Sequence, residues 1–284
     1  MPERGEVYTY ERQLNALLMG LYIFSLTIGT ATRYAKKALP GLTKYTPYSK
    51  CLGVTSRGKK LIVHFQRPSG EPFWLVSFLG MGGRWQHRSS DHSGVVLTFG
   101  TIVRSASHCI YIEELTVYYH DARHQGILEF VDTEMEMTHV FKYTGPDILY
   151  DNVTLDLYTK IITNKRIKGK LLARFLMDQK RVSGVGNWMK AEILYLCRLS
   201  PWRTLESLTS TEIAWLHYYT MWILQQSIMH GGLTIGDWYD LDGKKGGYVR
   251  QMYKAEVCAC GGPVTAEKVT GDDRTTHWCP NCQR

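Results

Sequence analysis

The spacing of the last four cysteines constrains this chain more than any other feature. Cys258-Ala-Cys260 and Cys279-Pro-Asn-Cys282 form two pairs, joined by the hairpin-length segment 261–278. Four thiolates suit a tetrahedral Zn²⁺, and a closed set of four ligands leaves no open position for chemistry. A module this small cannot bury enough core alone, so the metal would supply its folding energy. The spacing predicts a structural zinc finger with one Zn²⁺. Reduced free cysteines or a disulfide pair remain alternatives, and the tight one-residue spacing makes Cys258 the least secure ligand.

The remaining cysteines, Cys51, Cys109 and Cys197, are scattered along the chain. A secreted disulfide scaffold would spread its cysteines through a shorter chain, so we interpret these three as buried thiols. The N-terminus carries Glu3 and Glu6 without a basic segment that leads into an apolar core, so no secretory signal fits. The apolar stretch Ala16–Ile28 is too short to span a bilayer. We therefore expect a soluble intracellular monomer, with nucleus and cytoplasm both left open.

The chain changes texture along its length. Residues Glu6–Leu18 have helical spacing, and short β-rich runs follow from Tyr22 to Phe141. After Gly145-Pro146-Asp147 the pattern turns helical, with four candidate helices at Thr154–Thr163, Gly169–Asp178, Trp188–Cys197 and Thr211–Ile228. We predict an α+β protein with an N-terminal two-layer β-sandwich (residues 1–144), a helical domain (145–235), and a loop with a zinc finger (236–284).

The balance of charge indicates an acidic partner. The sequence has 34 Lys and Arg residues against 26 Asp and Glu residues, a formal net charge of +8. Nucleic acid is the commonest acidic partner, because each neutralised phosphate releases condensed counterions. A merely basic surface is the alternative. With 44% hydrophobic residues the chain is too apolar to be disordered.

Both chain ends carry motifs that belong together. The chain starts Met1-Pro2-Glu3-Arg4-Gly5-Glu6 and finishes Cys279-Pro-Asn-Cys282-Gln283-Arg284. Together these resemble the formamidopyrimidine-DNA glycosylase and endonuclease VIII family, whose members start Met-Pro-Glu, carry a helix–two-turn–helix domain, and typically end Cys-x-x-Cys-Gln. Interior motifs agree in order: Arg57-Gly58-Lys59-Lys60, Phe78-Leu79-Gly80-Met81-Gly82-Gly83-Arg84, Asp121-Ala-Arg123, Leu176-Met-Asp-Gln179 and Gly184-Val-Gly-Asn187. The short Cys-x-Cys knuckle looks most like the eukaryotic endonuclease VIII-like branch.

The first residues suit the chemistry that the resemblance implies. Once Met1 is removed, Pro2 presents a secondary α-amine, which titrates near a pKa of about 8, far below that of lysine. Such an amine can attack the sugar C1′, expel the base and leave an iminium that permits β-elimination. Proline is also common after methionine for no catalytic reason. Glu3 is implied to transfer protons, with Glu6 supporting it, although either carboxylate could simply complement a helix dipole.

Further residues receive roles from the resemblance. Lys59 is implied to act at the nucleophile, as proton donor or lesion-phosphate contact, and Lys60 is its confusable neighbour. Asn187 is expected to be a helix N-cap behind a glycine turn whose backbone N–H groups suit a phosphate; an ordinary capped turn is the alternative. Arg274 is implied to contact the phosphates beside the lesion and to assist δ-elimination. A solvated surface side chain is the alternative for Lys59, Lys60 and Arg274.

Three residues occupy the positions that the family inserts into the duplex where a nucleotide is flipped out. Met81 and Arg123 agree with it, whereas Gln125 stands where many relatives carry phenylalanine. Glutamine lacks the flat apolar ring that wedges and stacks well, which puts a strong preference for duplex in doubt. A smaller departure is Arg4-Gly5, where relatives usually have Gly-Pro.

The sequence therefore predicts a bifunctional DNA glycosylase and AP lyase of base excision repair, which removes oxidised bases through Pro2 and nicks the strand by β- and δ-elimination. Damaged DNA, duplex and also single-stranded or bubble, is the expected partner. Two other interpretations remain open. One is a non-catalytic zinc-ribbon protein that binds nucleic acid, for which Pro2, Glu3 and Lys59 would be unnecessary. The other is an inactive relative that recruits partners to damage.

Overall fold

A computed structural model describes residues 2–30, 32–104, 108–234, 238–268 and 274–284, and it divides into two compact units. The first unit contains residues 1–2, 6–142 and 235–246, and the second contains residues 3–5, 143–234 and 247–284. Each unit thus consists of separate stretches of the chain, whereas each of the three domains predicted from the sequence is one continuous stretch. That three-domain division stays a prediction.

Helix α1 (Arg4–Leu18) opens the fold, two residues before the predicted start at Glu6. Its inward face carries Val7, Tyr10, Leu14 and Leu18, each at most 1% exposed and spaced as one face of a helix. Leu17, which the sequence pattern placed on that face, is instead 37% exposed. After the helix, Gly20 takes a left-handed φ of 91°, a conformation that glycine adopts without steric cost.

Eight antiparallel strands form the sheet of the first unit in the described part of the chain. They are β1 (Tyr22–Ile28), β2 (Ser49–Arg57), β3 (Lys60–Gln66), β4 (Pro72–Phe78), β5 (Gly83–Gln86), β6 (Ser93–Arg104), β7 (Cys109–Asp121) and β8 (Ile127–Val131). Their order is β5-β7-β6-β1-β2-β3-β4-β8. The β-rich runs 109–112 and 115–119 both lie in the single strand β7, whose register with β6 shifts without breaking.

This sheet folds over on itself into two layers. Phe65 of β3 stacks on Phe99 of β6 with ring centroids 6.4 Å apart, although the two strands are not neighbours in the order. Likewise, Trp85 of β5 donates its indole N–H to the Ser77 hydroxyl of β4 at 3.2 Å. Contacts between non-adjacent strands require a fold in the sheet, so the predicted two-layer β-sandwich is confirmed.

Helix α2 (Glu134–Phe141) follows the last strand, inside a range that the sequence pattern assigned to strands. The Thr133 side chain accepts a hydrogen bond from Glu136 N, which stabilises the first turn.

The prediction of three buried thiols also needs correction. Cys51 is buried and Cys197 is partly exposed, but Cys109 is exposed. It lies in the exposed first half of β7, beyond the segment of β7 that pairs with β5.

The second unit is helical, as predicted. Its helices are α3 (Leu155–Ile162), α4 (Leu172–Met177), α5 (Asn187–Leu196) and α6 (Ser210–Met229). Thr209 and Glu212 form a reciprocal capping box at the start of α6. The unit ends in a hairpin of β9 (Thr265–Lys268) and β10 (Thr275–Trp278), paired antiparallel. Within the described ranges, no helix is long and apolar enough to cross a membrane.

Candidate active site and metal centre

The Glu3 carboxylate occupies the N-terminus of α5. One oxygen, Oε2, accepts hydrogen bonds from Gly186 N at 2.9 Å and Met189 N at 3.1 Å, and Oε1 accepts one from Trp188 N at 2.9 Å. Glu3 is only 3% exposed, so it has little water to compensate for the loss of any of these donors. Backbone N–H groups at a helix N-terminus favour a negative charge, so the geometry favours the ionised carboxylate.

This contact corrects two expectations for Gly184-Val-Gly-Asn187. The N-cap of α5 is Gly186, one residue before the predicted Asn187, and it makes no side-chain capping bond. Four N–H groups at this turn are also in use: Glu3 accepts from those of Gly186, Trp188 and Met189, and Gln179 Oε1 accepts from Gly184 N. A carboxylate distant in sequence supplies the anion for this helix terminus.

Gly186 is needed where Glu3 approaches it. A Cβ atom on Gly186 would lie 2.3 Å from Glu3 Cδ, far inside van der Waals contact. Pro2, one peptide bond before Glu3, is buried and belongs to the first unit. The chain connection alone therefore fixes the proline close to a carboxylate that three backbone N–H groups hold.

Helix α5 also holds the segments that carry the cysteines. The Asn187 side-chain amide donates to Thr275 O at 3.0 Å, and the fully buried Lys190 donates to the Thr276 hydroxyl at 2.8 Å. These contacts anchor the first half of β10, directly after Arg274. Asn187 and the residue next to Arg274 are thus brought together, within the second unit.

Glu192, fully buried on the same helix, organises the chain before the first cysteine pair. Its carboxylate accepts from Gln251 N, Met252 N and Tyr253 N at 2.8–2.9 Å and from the Tyr248 hydroxyl at 3.2 Å. Burial and the Glu192 charge raise the pKa of Tyr248, so its hydroxyl remains a donor. Sequence reasoning missed Lys190 and Glu192. Two opposite charges inside the apolar run 188–197 were the available signal.

The four C-terminal cysteines converge. Their sulfur atoms all lie within 4.8 Å of one another, with Cys258 Sγ 3.7 Å from Cys282 Sγ and Cys260 Sγ 3.6 Å from Cys279 Sγ. A tetrahedral Zn²⁺ with Zn–S bonds of about 2.3 Å separates its sulfurs by about 3.8 Å, whereas a disulfide holds them at about 2.05 Å. The cluster, Cys258 included, therefore has the geometry of a four-thiolate metal site and excludes the disulfide alternative in this conformation.

The end of the chain supports this metal centre. Gln283, 2% exposed, accepts from Cys279 N through Oε1 at 2.8 Å and donates through Nε2 to Leu199 O at 2.9 Å. Arg284 N donates to Arg198 O at 3.1 Å. The terminal Cys-x-x-Cys-Gln motif thus has a structural basis, since its glutamine ties the second cysteine pair to the residues that follow α5.

In the first unit, Lys59 and Lys60 differ in environment. Gly58 and Lys59 form the two-residue turn between β2 and β3, with Gly58 at a left-handed φ of 57°, and Lys59 is 7% exposed. Lys60 begins β3 and donates to Val140 O at the end of α2, over the Phe141 ring. Burial lowers the pKa of Lys60. The Lys60 side chain is therefore engaged with the end of α2, and Lys59 is the candidate for catalysis.

Met81, Arg123 and Gln125 lie on two loops that touch. A Cβ on Gly80 would lie 2.6 Å from the Gln125 carbonyl, and a Cβ on Gly82 would lie 3.4 Å from Arg123 Cδ. Asp121 fixes the second loop by accepting from Gly126 N at 2.8 Å and Gln125 N at 3.3 Å. These three predicted residues therefore form one cluster, hereafter the loop pair, with Arg123 and Gln125 exposed.

Comparison with known proteins gave formamidopyrimidine-DNA glycosylases along the whole chain. Residues 1–128 match the family model described as the formamidopyrimidine-DNA glycosylase N-terminal domain, and residues 144–238 match its H2TH domain. The formamidopyrimidine-DNA glycosylase of Thermus thermophilus is 30% identical over 291 residues, which cover 100% of this chain and 98% of that protein.

Solved structures agree with the sequence comparison. The MutM (Fpg) protein of Thermus thermophilus has a TM-score of 0.80 and 29% identity, covering 99% of this chain and 98% of that one. A Lactococcus lactis Fpg variant in complex with DNA that contains Fapy-dG has a TM-score of 0.82 and 27% identity, with full coverage of both chains. The similarity thus extends over both compact units and the metal centre.

Proposed function

Since the chain belongs to the formamidopyrimidine-DNA glycosylase family, we propose that it is a bifunctional DNA glycosylase and AP lyase of base excision repair. A Lactococcus lactis relative binds DNA that contains Fapy-dG, so oxidised and ring-opened bases are the substrate class that we propose here. The +8 net charge suits a polyanionic substrate.

The position of Glu3 is the observation that carries this proposal. An ionised carboxylate on a helix N-terminus, 3% exposed and held by three backbone donors, is more strongly constrained than a surface charge would be. It directly follows the residue that becomes a secondary amine when Met1 is removed. Nucleophile and proton acceptor are therefore adjacent in the chain.

The reaction proceeds in balanced steps. The Pro2 nitrogen attacks C1′ of the damaged nucleoside, the bond from C1′ to the base breaks, and the base departs with a proton. The C1′–O4′ bond then breaks as O4′ takes up a proton, which opens the sugar ring and leaves an iminium between Pro2 and C1′. The iminium draws electrons from C2′, so a C2′ proton is lost, the C3′–O bond breaks and the 3′ phosphate leaves by β-elimination. Because Glu3 starts as a carboxylate, its first role is to accept a proton and to stabilise the cationic iminium. Hydrolysis of the imine returns Pro2.

Other residues support these steps. Lys59, in the turn between β2 and β3, is the proposed proton donor or lesion-phosphate contact. Asn187 and Arg274 are proposed phosphate contacts, and Arg274 would also assist δ-elimination. The anchoring of β10 by α5 supports this role, since it orders the chain next to Arg274. Met81, Arg123 and Gln125 of the loop pair are proposed to fill the gap left by the flipped nucleotide.

We also propose that Cys258, Cys260, Cys279 and Cys282 hold one Zn²⁺. Their sulfur spacing fits a tetrahedral ion, and four protein ligands leave no position for a reacting water. When bound, zinc would supply folding energy to the hairpin and would take no part in base removal.

The proposal is tested by incubating the protein with duplex DNA that carries one oxidised base, followed by separate assays of base release and strand cleavage. We expect both in one reaction, with nicking that needs no alkali. A zinc-ribbon binding protein would retain the DNA with its strands intact. Binding without base release across oxidised purines, oxidised pyrimidines and formamidopyrimidines would overturn the proposal.

A further inference from the structure

A buried ion pair lies next to Glu3 and is not used in the reaction above. The Arg4 Nε atom lies 2.9 Å and 2.8 Å from the two carboxylate oxygens of Asp147, and both side chains are fully buried. Both residues belong to the second unit. Arg4 is also one of the largest fully buried side chains among the described residues.

Stability alone is a weak reason for such a pair. Removing two charges from water is costly, and a well-packed apolar pair of similar volume is often equally stable. What the pair does provide is a fixed geometry. Asp147 Oδ1 also accepts from Leu149 N at 2.7 Å and Tyr150 N at 3.2 Å, and the Arg4 guanidinium lies 5.0 Å from the centre of the Tyr150 ring. The carboxylate is therefore held from two sides.

The backbone around Arg4 is confined as well. Arg4 N donates to Gly184 O at 3.1 Å, and Gly184 has a left-handed φ of 114°. A Cβ on Gly184 would lie 2.8 Å from Arg4 Cβ. Glu3 approaches Gly186 more closely still, since a Cβ there would lie 2.3 Å from Glu3 Cδ, so residues 3 and 4 both pack directly against the segment 184–186.

We infer that Arg4 and Asp147 are positioning residues for the reaction, an inference that rests on the proposed function. The ion pair fixes Arg4, and the confined Arg4 backbone in turn fixes its neighbour Glu3. The Glu3 carboxylate then meets the three N–H donors of α5 in a single arrangement. Neither Arg4 nor Asp147 touches the substrate. Their effect reaches it through Glu3, and a displacement of about 1 Å at a reacting group costs up to about a hundredfold in rate.

The test compares wild type, Arg4→Met, Asp147→Asn and the double variant. Asparagine keeps the acceptor for Leu149 N and Tyr150 N, and the double variant removes both charges of this pair together. Each protein is assayed for thermal unfolding, DNA affinity and single-turnover base excision at saturating enzyme. We expect the double variant to fold and to bind DNA within about twofold of wild type, but to excise at least tenfold more slowly (about 1.4 kcal/mol in the barrier).

Each single variant should lose about as much rate as the double, because the two residues act as one unit. Arg4→Lys provides a second readout that avoids an unpaired charge. A lysine ammonium lacks the planar geometry of the guanidinium, so we expect a loss of several-fold. Lys170→Met is the matched control, since it removes another ion pair of the second unit, Lys170–Asp178 at 2.6 Å, and should leave the rate unchanged.

The outcomes separate the two proposals. A double variant that folds and excises within twofold of wild type would overturn the positioning role while leaving the enzyme assignment intact. A full wild-type rate in Arg4→Lys would do the same if the double variant does not fold. A wild-type protein that binds but never excises would instead overturn the proposed function itself.

Discussion

At the scale of single residues, the contacts of Glu3 and Arg4 fix both the positions and the electrostatic environment of these two side chains. Glu3 stabilises α5 by accepting from three backbone N–H groups, and the same three donors favour a negative charge on its carboxylate. Its neighbour Arg4 is held by Asp147. Backbone groups of α5 thus hold Glu3, and the Asp147 side chain holds Arg4.

Glu3→Gln should separate these two roles. Glutamine keeps the shape but has one acceptor oxygen, so at least one N–H of α5 loses its partner and stability should fall by about 1–3 kcal/mol. Excision should fall by about 10²–10⁴-fold, because the proton acceptor is gone, while DNA binding persists. Single-turnover kinetics and thermal unfolding measure both effects. Glu206→Gln, at a surface pair with Lys168, is the control. Full excision by Glu3→Gln would remove Glu3 from the mechanism.

Gln125 carries a second residue-scale prediction. A glutamine stabilises the extruded state less than an aromatic wedge does, and single-stranded lesions avoid most of the cost of unpairing, a few kcal/mol. The wild-type protein should therefore excise from single-stranded or bubble DNA at least as well as from duplex, and Gln125→Phe should shift the balance toward duplex. Single-turnover excision of one oxidised pyrimidine in each context, at matched salt, measures it.

The control for that experiment is Gln225→Phe, which adds the same ring at an exposed glutamine of α6, outside the loop pair. It should leave the ratio of the two rates unchanged. A wild-type preference for duplex of about tenfold, equivalent to about 1.4 kcal/mol in the barrier, would show that Met81 and Arg123 suffice and that the interpretation of Gln125 is wrong.

At the scale of elements, α5 connects the parts of the second unit. Its N-terminus receives Glu3, Lys190 holds β10, and Glu192 holds residues 251–253. Ala191 of the same helix packs in one apolar cluster with Met252, Cys258 and Cys279. The metal centre and the segment that bears Asn187 are therefore parts of one packed structure.

Removal of the proposed Zn²⁺ should consequently affect the residues that are proposed to bind DNA. Chelation, or Cys279→Ser, should unfold the terminal hairpin and release the chain near Arg274, which should lower DNA affinity by about tenfold or more while sparing the Pro2 amine. Elemental analysis, circular dichroism and DNA titration measure this. Cys109→Ser, at an exposed cysteine outside the cluster, should change nothing. Active protein that contains no zinc would contradict the assignment, and a harmless Cys258→Ser would exclude Cys258 as a ligand.

Helices and strands were easier to predict from the sequence than the contacts between residues distant along the chain. Periodicity located α1, most strands and all four helices of the second unit, because burial on one face leaves a local pattern. It could not show that the cap of α5 comes from Glu3, since that contact spans 183 residues. Lys190 and Glu192 escaped notice for the same reason: a buried charge is explained only by its distant partner.

At the scale of the whole molecule, similarity extends from the first residue to the last, and the residues with proposed roles fall in both compact units. Family resemblance rather than periodicity supplied most of those roles. The proposed reaction depends on Pro2 of this chain as its nucleophile.

The most direct test is borohydride trapping on abasic DNA, with the adduct located by mass spectrometry. The reagent reduces the iminium to a stable amine, so wild-type protein that lacks Met1 should yield a covalent complex attached at Pro2. Protein that retains Met1 presents an amide there and should give no such adduct, and Pro2→Ala should trap more weakly. A cross-link at another residue, or no cross-link by protein with a free Pro2, would contradict the account.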